Sequence, residues 1–465
     1  MNKLILLNEF KRNYDFMEIK RTIKLILLYL FILQPVFLTV KAQYEIPDKM
    51  EWWYQDRFGM FIHFGSYSYL GRGEWVFHNE GWEKADYQAL VSANFNPAEY
   101  DAGAIARLAK KAGMKYIVIT AKHHEGFCMW DTKVSSFTDV TGTKQYDLPG
   151  YTQFDTTRDV LMELKDSCDA IGIKFCLYYS ILDWNHPSQT MSPWWSTMVS
   201  MKAREDYIND MKAQLDELVT KYHPYVMWFD GDWDENTGKP DLKKWWTKND
   251  GIDLYDYLTG LDSNLIINER IFRNAGLGDF MCPEREIPVS AEERPWETCQ
   301  TMNNSWGYTI SDHDYKPASV LIRQLITVVS RDGNYLLNIG PKGDGTIPEE
   351  SVNLLDTIGN WMDIYGESIY GTIRSPYTFE PDWGLFTKKE GKLYVHVFSW
   401  PSTGILTIPA LGNNIKKICL LNDSTVLQYN VSPEGIIIKV PGTAPDEHSP
   451  VIVVEVDGIP VSNSR

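Results

Sequence analysis

The chain has 465 residues, 44% hydrophobic and 13% aromatic, with 62 acidic against 45 basic residues and a net charge of −17. That length supplies a sizeable core in two or three domains, and so acidic a surface repels phosphate backbones, which argues against nucleic acid as a partner. The 17 Trp and 26 Tyr suit core packing, and they also suit a sugar site lined by aromatic rings. In chain order, residues 1–42 read as an export signal, with Met17 as an internal start. "MEIKRTIKLILLYLFILQPVFLTVKAQ" has a basic beginning, an apolar run at 23–33 and a cleavage-like Val40-Lys41-Ala42. Gln34 and Pro35 break the run short of the ~20 residues a membrane span needs. The expectation is therefore cleavage and export, periplasmic or secreted, without stable membrane insertion.

Short apolar runs then alternate with helical patterns. Strands are expected at 58–65, 115–124, 174–180, 225–231, 265–270 and 334–340, and their near-continuous apolar character fits parallel strands covered on both faces. Helices are expected at 97–112, with Asn96 as N-cap and Gly113 as stop, and at 157–171, 201–222, 317–329 and 349–365. Repeated strand–helix units over 43–371 imply an α/β fold of the (β/α)8-like barrel type, two of whose strands are not legible. From 372 to 465 the texture changes to short strands and turns, as in "KLYVHVFSW", "GIIIKV" and "PVIVVEV", which implies a C-terminal antiparallel β-sandwich. The six Cys show no CxxC spacing, so a structural zinc site is disfavoured, and their disulfide pairing is not readable. Oligomeric state is not readable either.

In a barrel, reacting groups gather at the C-terminal ends of the strands. The expected strands end on His63, on His123 and His124, on Tyr178, on Asp230 and on Arg270. In "YVMWFDGDW" alternation puts Val226, Trp228 and Asp230 on one face, and Gly231 lets the chain turn sharply. Asp232 and Asp234 follow the strand and read as turn or surface residues. The Pro-containing stretch 278–288 reads as a loop that carries Glu284 and Glu286, either of which could face Asp230. Two carboxyl groups flanking one bond are the equipment of glycoside hydrolysis.

The set "FGMFIHFGSYS", "GEWV", "AKHHEGFCMWDTKVSSF", "YYSILDW", "MWFDGDW", "NNSWGY" and "DGNYLLNIGPKGDG" resembles the α-L-fucosidases of glycoside hydrolase family 29, in family order from about residue 50 to 370. The resemblance implies a retaining exo-hydrolase that releases terminal L-fucose from a fucosylated glycan or glycoconjugate, with no cofactor and no metal. It implies Asp230 as nucleophile and Glu284 as acid/base, with Glu286 as rival. For the sugar it implies His63, Glu74, Trp75, His123, His124, Tyr178, Trp228, Arg270 and Trp306. Retention then puts the two carboxyls about 5–5.5 Å apart. Arg270 or a His is expected to hold Asp230 ionised, in a site more compensated than that of Glu284. Two rivals remain. A metal-dependent hydrolase lacks HxH or HExxH spacing, and adjacent His on a strand face opposite ways. The same parity requires His123 and His124 to sit where their strand gives way to a loop. A non-catalytic fucose-binding barrel protein is the alternative, and it would dispense with the paired acids.

Overall fold

The computed structural model describes residues 45–134, 158–186, 189–191, 196–198, 201–233, 246–432 and 435–463. The leader at 1–42, Thr157 at the expected start of one helix, and Asp234 lie outside these residues. The apolar runs form a parallel sheet: β1 (Phe58–Ile62), β2 (Tyr116–Lys122), β3 (Lys174–Ser180), β4 (Val226–Asp230), β5 (Ile266–Ile267), β6 (Glu297–Thr301) and β7 (Asn334–Ile339). Its order is β5-β4-β3-β2-β1-β7-β6. The side chains of β1, β2, β4 and β7 are all buried, as two-sided cover by helices requires.

The gap between β5 and β6 is bridged by the stretch read from sequence as a loop. Asn268 pairs with Phe280, Met281 with Trp296, and Glu284 with Cys299, all in parallel sense. Backbone bonds run to both sides: Glu269 N–H to Phe280 O at 2.8 Å, Glu297 N–H to Met281 O at 2.9 Å and Arg285 N–H to Cys299 O at 3.0 Å. Residues 280–284 thus hold the eighth strand position of the barrel in irregular form. Pro283 cannot donate to a ladder, which explains why this strand is neither regular nor legible. β6 was missed for another reason. Its sequence ETCQT carries no apolar signal, yet all five residues are buried. Glu297 is held there by hydrogen bonds from Trp228 Nε1 at 3.1 Å, Trp53 Nε1 at 3.3 Å and the Tyr116 hydroxyl.

The helices follow their caps. The expected helix at 97–112 begins later, at Ala102, because Asp101 accepts the Ala104 N–H at 2.8 Å while Pro97 to Tyr100 form a turn. Asp159 likewise caps Val160–Ile171, and Gly172 ends it at φ 76°. Met201–Tyr222 and Glu349–Tyr365 stand as expected, and Ala318–Ser330 starts just after Pro317. Lys248–Leu261 was not foreseen; two glycines weaken its pattern, and a Thr247/Asp250 capping box starts it.

Beyond the last barrel helix come β8 (Gly384–Lys389), β9 (Lys392–Val397), β10 (Ile405–Ile408), β11 (Ile415–Leu420), β12 (Tyr429–Ser432), β13 (Gly435–Lys439) and β14 (Val451–Val456). They form antiparallel sheets ordered β8-β9-β14-β11 and β10-β13-β12 around Phe386, Leu393, Val395, Ile418, Ile436 and Val454. The other face of the four-stranded sheet joins the barrel: Leu385, Tyr394, Val451 and Val453 belong to the barrel's apolar cluster, and Trp361 Nε1 donates to Ser449 O at 3.0 Å. Among the described residues no helix is long and apolar enough to cross a membrane.

Candidate active site

An open cavity lies at the C-terminal ends of the strands. It is lined by Phe61, His63, Trp75, His123, His124, Tyr178, Trp228, Asp230, Trp233, Arg270, Glu284, Cys299 and Trp306. Ten of the eleven residues expected from sequence therefore meet around one space. The exception is Glu74, whose carboxylate accepts the Gly307 N–H at 2.8 Å and so braces the loop carrying Trp306.

Asp230 ends β4 beside Trp228, as alternation requires, and Gly231 follows at φ 77°. A Cβ at Gly231 would stand 2.7 Å from Leu182 Cβ, so only glycine fits this turn. Asp230 Oδ1 takes Arg270 Nη1 at 3.1 Å and Arg273 Nη2 at 2.9 Å, while Oδ2 has the Tyr178 hydroxyl at 3.4 Å. Burial opposes ionisation, but Arg270, with His124 and Arg273, outweighs it and holds the carboxyl well below the usual carboxylate range. Burial keeps His124 itself neutral, pushed down to about 4, so at neutral pH the two guanidiniums carry this effect.

Arg270 Nη1 also reaches Glu284 Oε2 at 3.0 Å. One nitrogen thus bridges both carboxyls, and their facing oxygens lie no further apart than the 3.1 Å and 3.0 Å legs laid end to end. Glu284 is less compensated than Asp230, sharing one arginine where Asp230 has two, and its side chain is 42% exposed at the cavity mouth. Glu286 is exposed and does not line the cavity.

The histidine pair lands where parity demanded. β2 ends at Lys122 after a register shift between Thr120 and Lys122, and His123 and His124 follow it, with ring centroids 4.1 Å apart. His123 stacks on Tyr178 at 5.5 Å, and Tyr178 stacks on Trp228 at 5.6 Å. Trp306 lies 5.1 Å from His63 and under the Arg285 guanidinium at 5.0 Å.

The sequence reading of Asp232 as a turn or surface residue is corrected. It is buried and takes Arg273 Nε at 2.7 Å and the Arg273 backbone N–H at 2.6 Å, so it holds the second guanidinium on Asp230. Arg273 was not singled out from sequence, nor were Phe61, Trp233 and Cys299. Alternation carried past Gly231 would have marked Asp232; nothing local marked Arg273.

Comparison with known proteins decides the family. The α-L-fucosidase model matches residues 39–367, and the α-L-fucosidase C-terminal domain model matches 380–454. The chain belongs to the α-L-fucosidase family. Family members of similar sequence include an α-L-fucosidase of Dictyostelium discoideum, 30% identical over 442 residues, covering 86% of this chain and 91% of the relative. Human tissue α-L-fucosidase is 28% identical, covering 85% of each. Among solved structures, α-L-fucosidase isoenzyme 1 from Paenibacillus thiaminolyticus superposes with TM-score 0.75 at 32% identity, covering 88% of this chain and 99% of that one. A family 29 fucosidase from Bacteroides thetaiotaomicron, trapped as a covalent intermediate with 2-fluoro-fucosyl fluoride, superposes with TM-score 0.77 at 26% identity, covering 89% and 97%.

Proposed function

We propose that Asp230 is the nucleophile and Glu284 the general acid and base of this fucosidase, which is a retaining exo-hydrolase releasing terminal L-fucose through a fucosyl-enzyme intermediate. The observation that carries the assignment is Arg270, whose single nitrogen joins the two carboxyls across the cavity. Asp230 attacks the anomeric carbon while Glu284 protonates the departing oxygen; the resulting ester is then cleaved by water that Glu284 deprotonates. Arg270 and Arg273 keep Asp230 ionised for the attack. Glu284, at the exposed mouth, stands on the side where a leaving group departs and water enters. The histidines and arginine supply polar contacts for the three ring hydroxyls, and the rings of Phe61, Trp228 and Trp306 supply an apolar wall for the C5 methyl.

Export is part of the same reading. It is supported by the basic start, the apolar run at 23–33 and the small-residue site at Val40 to Ala42. All six Cys are buried free thiols in the folded chain. The experiment is trapping with 2-deoxy-2-fluoro-fucosyl fluoride followed by peptide mapping. The label is expected on Asp230; a label on any other carboxylate refutes the assignment. The N-terminus of the mature protein, recovered from the medium or periplasm, tests export, and intracellular full-length protein refutes it.

A further inference from the structure

Two of the pocket histidines have their proton placed by a neighbour. His63 Nδ1 lies 2.7 Å from Asn338 Oδ1, and Asn338 Nδ2 donates to the Trp306 carbonyl at 2.7 Å. A carbonyl only accepts, so the amide is oriented with its oxygen toward His63, which carries its proton on Nδ1. His124 Nδ1 lies 2.6 Å from Ser180 Oγ, and the Ser180 hydroxyl donates to the Leu182 carbonyl. Ser180 has one proton and has spent it, so it accepts from His124 Nδ1–H. Burial keeps both rings neutral, His63 pushed down to about 3 and His124 to about 4. A neutral ring protonated on Nδ1 presents a bare lone pair on Nε2.

For His124 this has a consequence at the nucleophile. Its Nε2 stands 3.7 Å from Asp230 Oδ2, itself only an acceptor. Oδ1 takes Arg270 and Arg273, whereas Oδ2 has the longer contact from the Tyr178 hydroxyl at 3.4 Å, which leaves Oδ2 the less engaged oxygen for attack. With the opposite tautomer, Nε2–H would face Oδ2 and, on closing the 3.7 Å gap, donate to it in a charge-assisted bond that ties up that lone pair. We infer that Ser180 is a positioning residue: by taking the Nδ1 proton of His124 it makes Nε2 an acceptor for a sugar hydroxyl and keeps His124 from hydrogen-bonding the nucleophile. The inference rests on the fucosidase reading above.

The surrounding fold holds Ser180 to this task. Ser180 is in register with Asp230 across β3 and β4, and Ile181 N–H bonds the Asp230 carbonyl at 2.8 Å. Gly231 lets the Leu182 turn close in, since a Cβ there would lie 2.8 Å from Leu182 N and 3.0 Å from Ser180 Oγ. His123 provides a contrast. Its Nδ1 has no hydrogen-bond partner and stands 3.7 Å from Glu125 Oε2, so its Nδ1 lacks the fixed acceptor that His63 and His124 have.

The test reads the tautomer directly. In resting enzyme labelled with 15N-histidine, NMR should show His124 in the Nδ1–H form, its signals assigned by their loss in His124→Ala. Ser180→Ala should move His124 to the Nε2–H form and lower kcat/KM for 4-nitrophenyl α-L-fucoside roughly ten- to a hundredfold, the worth of one hydrogen bond to a charged group. The loss should fall on kcat, and Ser180→Thr, which keeps the hydroxyl, should recover most of it. An Nε2–H form in the parent, or parental kcat/KM in Ser180→Ala, overturns the inference. The parental spectrum needs neither turnover nor a stable variant. A parent that shows the Nδ1–H form but fails to hydrolyse the aryl fucoside overturns the fucosidase reading instead.

Discussion

Replacing Arg273 by Met isolates one of the two charges that hold Asp230 ionised. Arg270 is unsuitable for this purpose because it touches both carboxyls, so its removal perturbs Asp230 and Glu284 together. Arg273 Nη2 is 2.9 Å from Asp230 Oδ1, which puts the charge centres about 4 Å apart, worth about 4 kcal/mol at an effective dielectric near 20. Its side chain is 31% exposed, and solvent screening brings this to about 2 kcal/mol. At 1.36 kcal/mol per pH unit, the carboxyl's titration should move upward by about 1.5 units. The sign follows from the favoured form: Arg273 stabilises the carboxylate, so without it Asp230 binds its proton at higher pH. The assay is kcat/KM for 4-nitrophenyl α-L-fucoside from pH 2 to 8, read after brief exposure at the acid end. Parental activity should show no loss from Asp230 within the ordinary carboxylate range, while the variant's acid limb should rise toward that range. Met also leaves Asp232 buried without its partner, an error of about 3–5 kcal/mol in stability. Arg273→Met combined with Asp232→Asn removes that cost and should recover the melting temperature while keeping the displaced acid limb. An acid limb identical to the parent's in a folded variant refutes the electrostatic account.

Glu284→Ala should lose roughly 10²–10⁴-fold with poor leaving groups and much less with activated aryl fucosides, because general acid help scales with the need for it. Azide should rescue it and give a fucosyl azide of retained configuration, detectable by NMR; no rescue points to a bystander. Glu286→Ala, a change at an exposed side chain outside the cavity, should stay within about twofold of parental kcat/KM. Gly231→Ala meets both a φ of 77° and contacts under 3 Å to Leu182, so thermal unfolding should report a loss of about 2–4 kcal/mol, with turnover falling in step. A stable, active Gly231→Ala would show that the turn after β4 can relax.

Local pattern was enough for the parts of this protein built from neighbours in sequence. Six barrel strands announce themselves because parallel strands covered on both faces must be apolar along their length. Asp230 is legible for the same kind of reason: alternation joins it to Trp228, and Gly231 explains how the chain leaves the strand. The two strands that were not legible fail that test in opposite ways. Residues 280–284 are broken by Pro283, and β6 is polar, its buried Glu297 satisfied by Trp53 and Tyr116, which lie 244 and 181 residues away. The same distance in sequence hides Arg273, which reaches back 43 residues to Asp230, and Asp232, whose burial makes sense only beside that arginine. Composition, period and turn chemistry thus determine which segments become strands and which carboxylate ends one of them. Which acid faces it, which cations hold its charge and which nitrogen of His124 bears a proton were decided by closure of the barrel, because those contacts exist only once distant strand ends meet around one cavity.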